Sequence, residues 1–382
     1  VNKYLYIVLL FFAGSCIEPF RPELDEAQAM LVVNGNITDQ PGDHYVRLSY
    51  STSFYNPKFI PLSGCVINVE DNIGVQHTYT ELSPGFYKVN LDAGFLELNK
   101  AYRLHLFTPD GEEYISDFDS LLSCPEVDDI SFVPEIQEGD NVYAKTYGIR
   151  FRVDVRGESE NARNYLWKLT ETYEYHSWYK AQYVWDGDTL MYAGLDEDSI
   201  FTCYDTQPIK KFYTASTRYL TRNELNNFPL NYVTNATSRL RIKYSLLVQQ
   251  HSLSDAGYLY WENMSRQLDE SGGLYEKQPA TVSGNISNLN NPDEKVLGFF
   301  YASEVKEKRI FVKGDLPFNF PVTFCPLDTA YTLEALGDNR LYLVSFSEYE
   351  EGPPYGYGNK CFDCTLFGGT VTPPSFWFDD EY

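Results

Sequence analysis

Seven cysteines give this chain its most reactive side chains: Cys16, Cys65, Cys124, Cys203, Cys325, Cys361 and Cys364. The last two form a C-x-x-C, Cys361-Phe-Asp-Cys364, a spacing shared by zinc sites, redox centres and ordinary disulfide cysteines. Zinc would need two further ligands, and neither a second C-x-x-C nor an H-x-x-x-H stands in the sequence. A redox centre would need the motif to open a helix, whose N-terminus lowers the thiol pKa. Gly368-Gly369 and Pro373-Pro374 follow instead, so no helix is expected after it. Structural disulfides are the remaining reading, among Cys65, Cys124, Cys203, Cys325, Cys361 and Cys364, with Cys203 or Cys325 as candidate partners of the motif. Six cysteines allow fifteen pairings, so the connectivity itself is not legible.

Acid–base chemistry has less to build on. His44, His77, His105, His176 and His251 are scattered, and strand-face or surface positions are expected for them. No G-x-S-x-G, H-E-x-x-H or phosphate-binding glycine loop occurs. Glycoside hydrolysis needs only two carboxylates a few ångströms apart, and 54 acids leave room for such a pair without any local pattern. Asp186, Asp188, Asp196 and Asp198 offer hard oxygens of the kind that bind Ca²⁺, but without EF-hand spacing or its glycine they are expected to be solvated turn acids. No catalytic residue, metal ligand or cofactor site is therefore assigned, and the chain is expected not to be an enzyme.

Cys16 belongs to a different chemistry. Residues 1–15 run from a lone Lys3 through about ten largely apolar residues to Ala13-Gly14-Ser15, the layout of a secretory signal. A spanning helix needs about twenty apolar residues, and this run stops at Cys16. Ala13-Gly14-Ser15-Cys16 resembles the lipobox of bacterial lipoproteins, with Ala13 where that motif prefers Leu. The resemblance implies cleavage before Cys16 and acylation of its thiol, with each buried methylene contributing about 0.8 kcal/mol to membrane anchoring. Residues 16–29 then read as a lipidated tether, extended through Pro19 and Pro22. Residue 17 is Ile rather than Asp, so the inner-membrane retention signal of some lipoproteins is missing, and Glu18, Glu23, Asp25 and Glu26 resemble the acidic signals that send Bacteroidota lipoproteins to the cell surface.

The elements that must position these residues are mostly strands. Hydrophobic residues at 43% against 22% charged exclude a disordered chain. Aromatic wealth, with 32 Tyr, 25 Phe and 5 Trp, favours pleated surfaces. Net charge is −24, or −25 once Lys3 leaves with the leader, and no basic run occurs, so nucleic acid is not a partner. Short runs at Met30–Ile37, Tyr45–Tyr50, Cys65–Glu70, Phe86–Leu91, Tyr102–Phe107 and Tyr114–Ser116, with turns at Pro84-Gly85 and Pro109-Asp110-Gly111, predict an immunoglobulin-like β-sandwich over 30–120. Ser120–Glu126 reads as a boundary. Residues 121–382 are then a larger β-rich domain, with long strands at Tyr147–Val155 and Tyr165–Tyr175, a hairpin turn at Trp185-Asp186-Gly187-Asp188, and a central strand at Arg239–Gln250. One helix is expected from an N-cap at Ser254 to Glu270, with Tyr258, Trp261, Met264 or Ser265, and Leu268 as its apolar stripe. A second, shorter one is expected from Thr221, where Glu224 completes a capping box.

Three stretches resemble one family. They are the leader through Cys16-Ile-Glu-Pro-Phe20 with Leu31-Val-Val-Asn-Gly-Asn-Ile-Thr-Asp39; Gln278-Pro-Ala-Thr-Val-Ser-Gly-Asn-Ile286 with Leu297-Gly-Phe-Phe300; and Cys361-Phe-Asp-Cys364 with Gly368-Gly369 and Pro374-Ser-Phe-Trp377. The chain resembles the Bacteroidota outer-membrane lipoproteins of the DUF4249 type, commonly encoded beside a SusC-like TonB-dependent receptor. That family carries no assigned catalytic residue. Asp119-Ser120-Leu121, Asp188-Thr189-Leu190, Asp198-Ser199-Ile200 and Asp328-Thr329-Ala330 also resemble the O-glycosylation acceptors of Bacteroidota exports. The resemblance implies a non-enzymatic accessory subunit of a TonB-dependent outer-membrane β-barrel, lipid-anchored and facing the cell exterior. The alternatives are a solute-binding lipoprotein for glycans or peptides, a structural subunit of a secretion or assembly machine, and an enzyme built on a hidden carboxylate pair.

Overall fold

The computed structural model describes residues 29–52, 58–138, 145–194, 200–270, 282–321, 324–347 and 352–378. The leader 1–15, Cys16 and nearly all of the 16–29 tether lie outside those residues. Strands dominate the rest, so the chain is mainly β as its composition predicts.

Ten strands come first: β1 (Leu31–Thr38), β2 (Gly42–Tyr50), β3 (Ile60–Pro61), β4 (Val66–Asp71), β5 (Gln76–Thr78), β6 (Thr80–Ser83), β7 (Phe86–Leu91), β8 (Ala101–Phe107), β9 (Glu113–Ser116) and β10 (Asp119–Ser120). Alternation decides which face each strand buries. Along β8, Tyr102, Leu104 and Leu106 are buried while Arg103 and His105 lie half-exposed on the other face. Two sheets share one core, with Ile37, Leu48 and Tyr87 from the first meeting Val69, Leu104 and Tyr114 from the second.

The 30–120 range accounts for these ten strands but does not close the sandwich. Further along come β11 (Val127–Glu138), β12 (Lys145–Gly157), β13 (Asn164–His176), β14 (Tyr183–Trp185), β15 (Leu190–Tyr192), β16 (Thr202–Ser216), β17 (Asn223–Thr234), β18 (Lys243–Ser252), α1 (Asp255–Glu270), β19 (Ile286–Asn288) and β20 (Leu297–Ser303). The last two strands return to the first sandwich. β20 pairs in parallel with β1 from Val32↔Leu297 to Thr38↔Ser303, and β19 pairs with β9. Leu297-Gly-Phe-Phe-Tyr-Ala-Ser303 is apolar on both faces. Phe300 and Ala302 fill the sandwich core, and Phe299 and Tyr301 meet α1. The approach demands glycine: a Cβ on Gly298 would lie 1.8 Å from the Val33 carbonyl oxygen, and one on Gly284 would lie 1.7 Å from that of Gly298.

The second body stacks sheet β11-β12-β17 on sheet β16-β13-β18-β21, where β21 spans Val305–Lys313. Phe151, Val153, Trp167, Leu246 and Val248 lie in its core, and Trp167 Nε1 donates to Gln250 Oε1. β20 and β21 adjoin across Glu304, so one continuous run serves both bodies. A smaller sheet, β15-β14-β23-β24-β22, adds β22 (Asp328–Ala330), β23 (Leu341–Ser345) and β24 (Tyr355–Tyr357).

α1 forms where its cap predicts, with the Ser254 hydroxyl accepting from the Gly257 N–H. Tyr258 and Trp261 pack inward as expected, joined by Tyr260, while Leu268 is exposed. The helix expected from Thr221 does not form. Glu224 instead lies in β17 opposite Arg156 of β12. A twelve-residue strand pairing with a long neighbour outweighs one capped turn. The strand expected from Arg239 begins at Lys243, because Ser238–Leu240 form a 3₁₀ turn.

Candidate functional site

β13 runs past the packed core, and its core-side face ends in two phenols, Tyr173 and Tyr175, with ring centroids 5.8 Å apart. Three segments converge around them: the end of β13 with Ser177 and Trp178, the Ala236–Ile242 connection into β18, and the 3₁₀ turn Cys364–Phe367. They enclose a cleft of about 570 Å³, within the range of small-ligand sites. Its rim is aromatic. Trp178 and Phe367 contact each other as tilted rings at 5.6 Å, and each keeps nearly half of its surface exposed, 42% and 48%, on the rim of the cleft. Thr237, Ser238 and Arg241 supply the polar side.

Local sequence explains why this cleft is rigid. Cys364 is bonded to Cys203 of β16, with Cα atoms 5.8 Å apart, which fixes the turn carrying Phe367. The Tyr175 hydroxyl donates to the Cys364 carbonyl and accepts from the Gly369 N–H. Gly369 is required there, since a Cβ would fall 2.5 Å from that hydroxyl. The Asp363 carboxylate caps the turn by accepting from the Thr365 N–H at 2.9 Å.

The charges beneath the cleft are already engaged. Glu171, 3% exposed, accepts from Arg239 at 3.0 Å, from the Tyr244 hydroxyl at 2.8 Å and from Gln207. Asp205 accepts from the Tyr173 hydroxyl at 2.7 Å, and Glu174 accepts from Trp377 Nε1 and lies 3.4 Å from His176 Nε2. Burial pushes the Tyr173 and Tyr175 phenols above their ordinary range, so they act as neutral hydrogen-bonding rings rather than bases. Arg241 differs from all of these. Among the described residues no carboxylate pairs with it; it donates to the Pro321 carbonyl and lies over the Phe320 ring.

A second, smaller hollow beside Gln40, Val305, Lys306 and Glu307 has its cation neutralised, since Lys306 bridges Glu304 at 3.0 Å and Glu126 at 3.1 Å. It offers a ligand little unspent charge.

The cysteines divide into two groups. Cys203 pairs with Cys364 and Cys325 with Cys361, so the C-x-x-C halves bond to distant partners rather than to each other. Cys65 and Cys124, counted among the disulfide candidates, are buried free thiols. Burial pushes Cys65 up to about 11 and Cys124 up to about 12, which leaves both unreactive. Asp186 is spent on its own hairpin, where Oδ1 accepts from the Asp188 and Thr189 N–H groups, and Asp196 and Asp198 lie outside the described residues. Among the described residues no group of three metal-ligating side chains gathers. His176 alone of the histidines lines the cleft; His105 bonds Glu113 at 2.6 Å, and His251 is buried, with desolvation holding it neutral. Sequence reasoning placed Tyr173 and Tyr175 on a strand but did not single out Trp178, Arg241 or Phe367. The aromatic excess was a signal for Trp178 and Phe367, and nothing in the sequence marked Arg241.

The family model described as Domain of unknown function (DUF4249) matches residues 17–309. The chain belongs to this DUF4249 family. The match covers the walls of the cleft from Tyr173 to Ile242 but stops short of Phe367, Cys361 and Cys364. No curated protein matches the chain. Among solved structures, trypsin-activated alpha-2-macroglobulin from Escherichia coli is similar at 8% identity and a TM-score of 0.20, over 60% of this chain and 15% of that one. A likeness that low carries no argument. Among the described residues no helix is long and apolar enough to cross a membrane.

Proposed function

We propose that this DUF4249 protein is a lipid-anchored, surface-exposed outer-membrane lipoprotein. In this reading it captures a solute in the aromatic cleft as a non-enzymatic accessory subunit of a TonB-dependent β-barrel. The anchor and the barrel rest on the lipobox-like Ala13-Gly14-Ser15-Cys16 and on the family resemblance. Capture rests on one observation: an open cleft with exposed Trp178 and Phe367, pinned by a disulfide, in which the neighbouring carboxylates Glu171, Glu174 and Asp205 are each bound by protein donors. Such a site suits flat, polar molecules.

Two measurements test this. Gentle detergent extraction of native membranes should recover the protein with a β-barrel, and mass spectrometry should find lipid on Cys16. Recovery of an unmodified, solitary protein would remove anchor and partner together. Capture is tested separately, by quenching of tryptophan fluorescence with a panel of glycans and peptides, where a response lost in Trp178→Ala is expected.

A further inference from the structure

We infer that the cleft takes an acidic sugar, a pyranose ring bearing a carboxylate as in a uronic-acid residue of a polysaccharide. The inference rests on the capture reading and names its ligand. The aromatic rim sets the first requirement. Trp178 and Phe367 pack on each other, with ring centroids 5.6 Å apart and planes inclined at 58°, and the 42% and 48% of their surfaces left exposed form an apolar rim on which the C–H face of a sugar ring can lie.

Charge sets the second requirement. Acids outnumber bases 54 to 30 in this chain, so a guanidinium with no carboxylate partner among the described residues is unexpected at a cleft. Arg241 is such a group. Its neighbour Arg239 is held by Glu171, and Glu174 and Asp205 accept from Trp377 and Tyr173 rather than from Arg241, so Arg241 is the guanidinium at this cleft that no described carboxylate engages. A guanidinium has five N–H donors in a fork that fits a carboxylate, and among the described residues the Pro321 carbonyl is its one hydrogen-bond acceptor, which leaves donors over. The chain's net charge of −24 opposes an approaching anion, but beyond about 8 Å that field is screened at physiological salt, whereas the contact with Arg241 is not.

Hydroxyls and backbone set the third. Thr237 and Ser238 stand on the same segment as Arg241, where they can meet ring hydroxyls. A peptide adding as a strand would want backbone partners, and β13 is paired on both sides as far as Tyr173, to Tyr244 and to Asp205, which leaves it at most the short end at Glu174–His176. The cleft therefore presents mainly rings, hydroxyls and one cation, with only three residues of strand edge.

The test is calorimetric titration of the full chain with three probes: an oligogalacturonate, a neutral galacto-oligosaccharide of the same length, and a peptide of similar mass with a free C-terminal carboxylate. The oligogalacturonate should bind about tenfold to hundredfold more tightly than the neutral sugar, the range expected of a charge-assisted pair. Arg241→Gln should weaken the oligogalacturonate more than the neutral sugar and so erase that preference, and Arg241→Lys should restore part of it. Trp178→Ala should weaken both sugars. Near-ultraviolet circular dichroism of each variant would show that the fold is kept. Equal affinity for the two sugars, or an Arg241→Gln variant that still prefers the acid, would overturn the acidic-sugar assignment and leave capture standing. Binding of the peptide alone would also overturn it. If none of the three probes binds, both the assignment and the capture reading fall.

Discussion

The first sandwich and the C-terminal sheet are stabilised in opposite ways. Around β1–β10, β19 and β20, twenty-three buried apolar residues among those described form one cluster, and the cysteine within it, Cys65, stays a thiol. The β14–β15, β22–β24 sheet gathers only six such residues among those described, from Tyr183 to Tyr355, and both disulfides attach the chain around it. Small cores contribute too little burial to hold themselves, and a covalent tie that closes a long loop compensates by restricting the unfolded chain. Large side chains are also left in water there, including Tyr192, Phe324 and Tyr331. The cleft lies at the seam, with its floor on β13 of a well-packed sheet and Phe367 on a turn held by Cys203–Cys364. Precise placement of an exposed ring therefore depends on a bond rather than on packing.

The contrast can be broken from either side. Phe300→Ala removes a fully buried ring from the core shared by β20 and β1, and should destabilise the first sandwich by about 3–5 kcal/mol. Hydrogen exchange of the Leu31–Thr38 amides would show it. All five tryptophans, Trp167, Trp178, Trp185, Trp261 and Trp377, lie outside that sandwich, so fluorescence should report a smaller change. A Cys203→Ser, Cys364→Ser double variant should cost about 2–5 kcal/mol, since the bond spans 161 residues. It should also abolish solute binding, because Phe367 loses its tether. If that variant kept full affinity in the quenching assay, the disulfide would have no role in shaping the site.

How far the sequence discloses this depends on the range of each interaction. Strand β7 falls at Phe86–Leu91, where its alternation places it, and α1 begins at the Ser254 cap, because alternation and capping are local. β20 is legible as an apolar run, but its parallel partner lies 265 positions away at Val32↔Leu297, and no local pattern names it. The same holds for the cysteines: elimination points to disulfides, yet only the fold shows that Cys361 reaches Cys325 and Cys364 reaches Cys203. The cleft is the extreme case, since Trp178, Arg241 and Phe367 come from three segments and share no motif.

Acidity offers a finer probe of the first sandwich and its junction with α1. Burial raises Asp119 to about 6 from an ordinary 3.8, although it accepts from the Ala302 N–H at 3.0 Å and from the Ser254 side chain. Between those two values the folded chain keeps a proton that the unfolded chain has lost, so stability falls as pH rises through the window. At about 1.36 kcal/mol per pH unit, the loss complete above pH 6 is on the order of 3 kcal/mol. Asp119→Asn keeps an acceptor for Ala302 without a charge. Urea unfolding of that variant should show higher stability at pH 7 and a flatter profile between pH 4 and 6. A wild-type curve that rises across this window, with an unchanged variant, would contradict the burial argument.

The smallest effect on stability should accompany a decisive effect on function. Trp178 is 42% exposed, and its recorded ring partner is Phe367, itself half in water. Replacing it with alanine leaves no cavity in a packed core, so unfolding should shift by less than about 1 kcal/mol. Binding should behave differently, because the ring face lost is one that a ligand would cover, and affinity should fall at least about tenfold. Phe300→Ala should show the reverse pattern, with a large loss of stability and little direct effect on the cleft. Measured together, the two variants separate the region that holds the fold from the region proposed to meet a solute. If Trp178→Ala destabilised the chain as much as Phe300→Ala did, the exposed ring would be a structural brace, and the functional reading of the cleft would lose its main support.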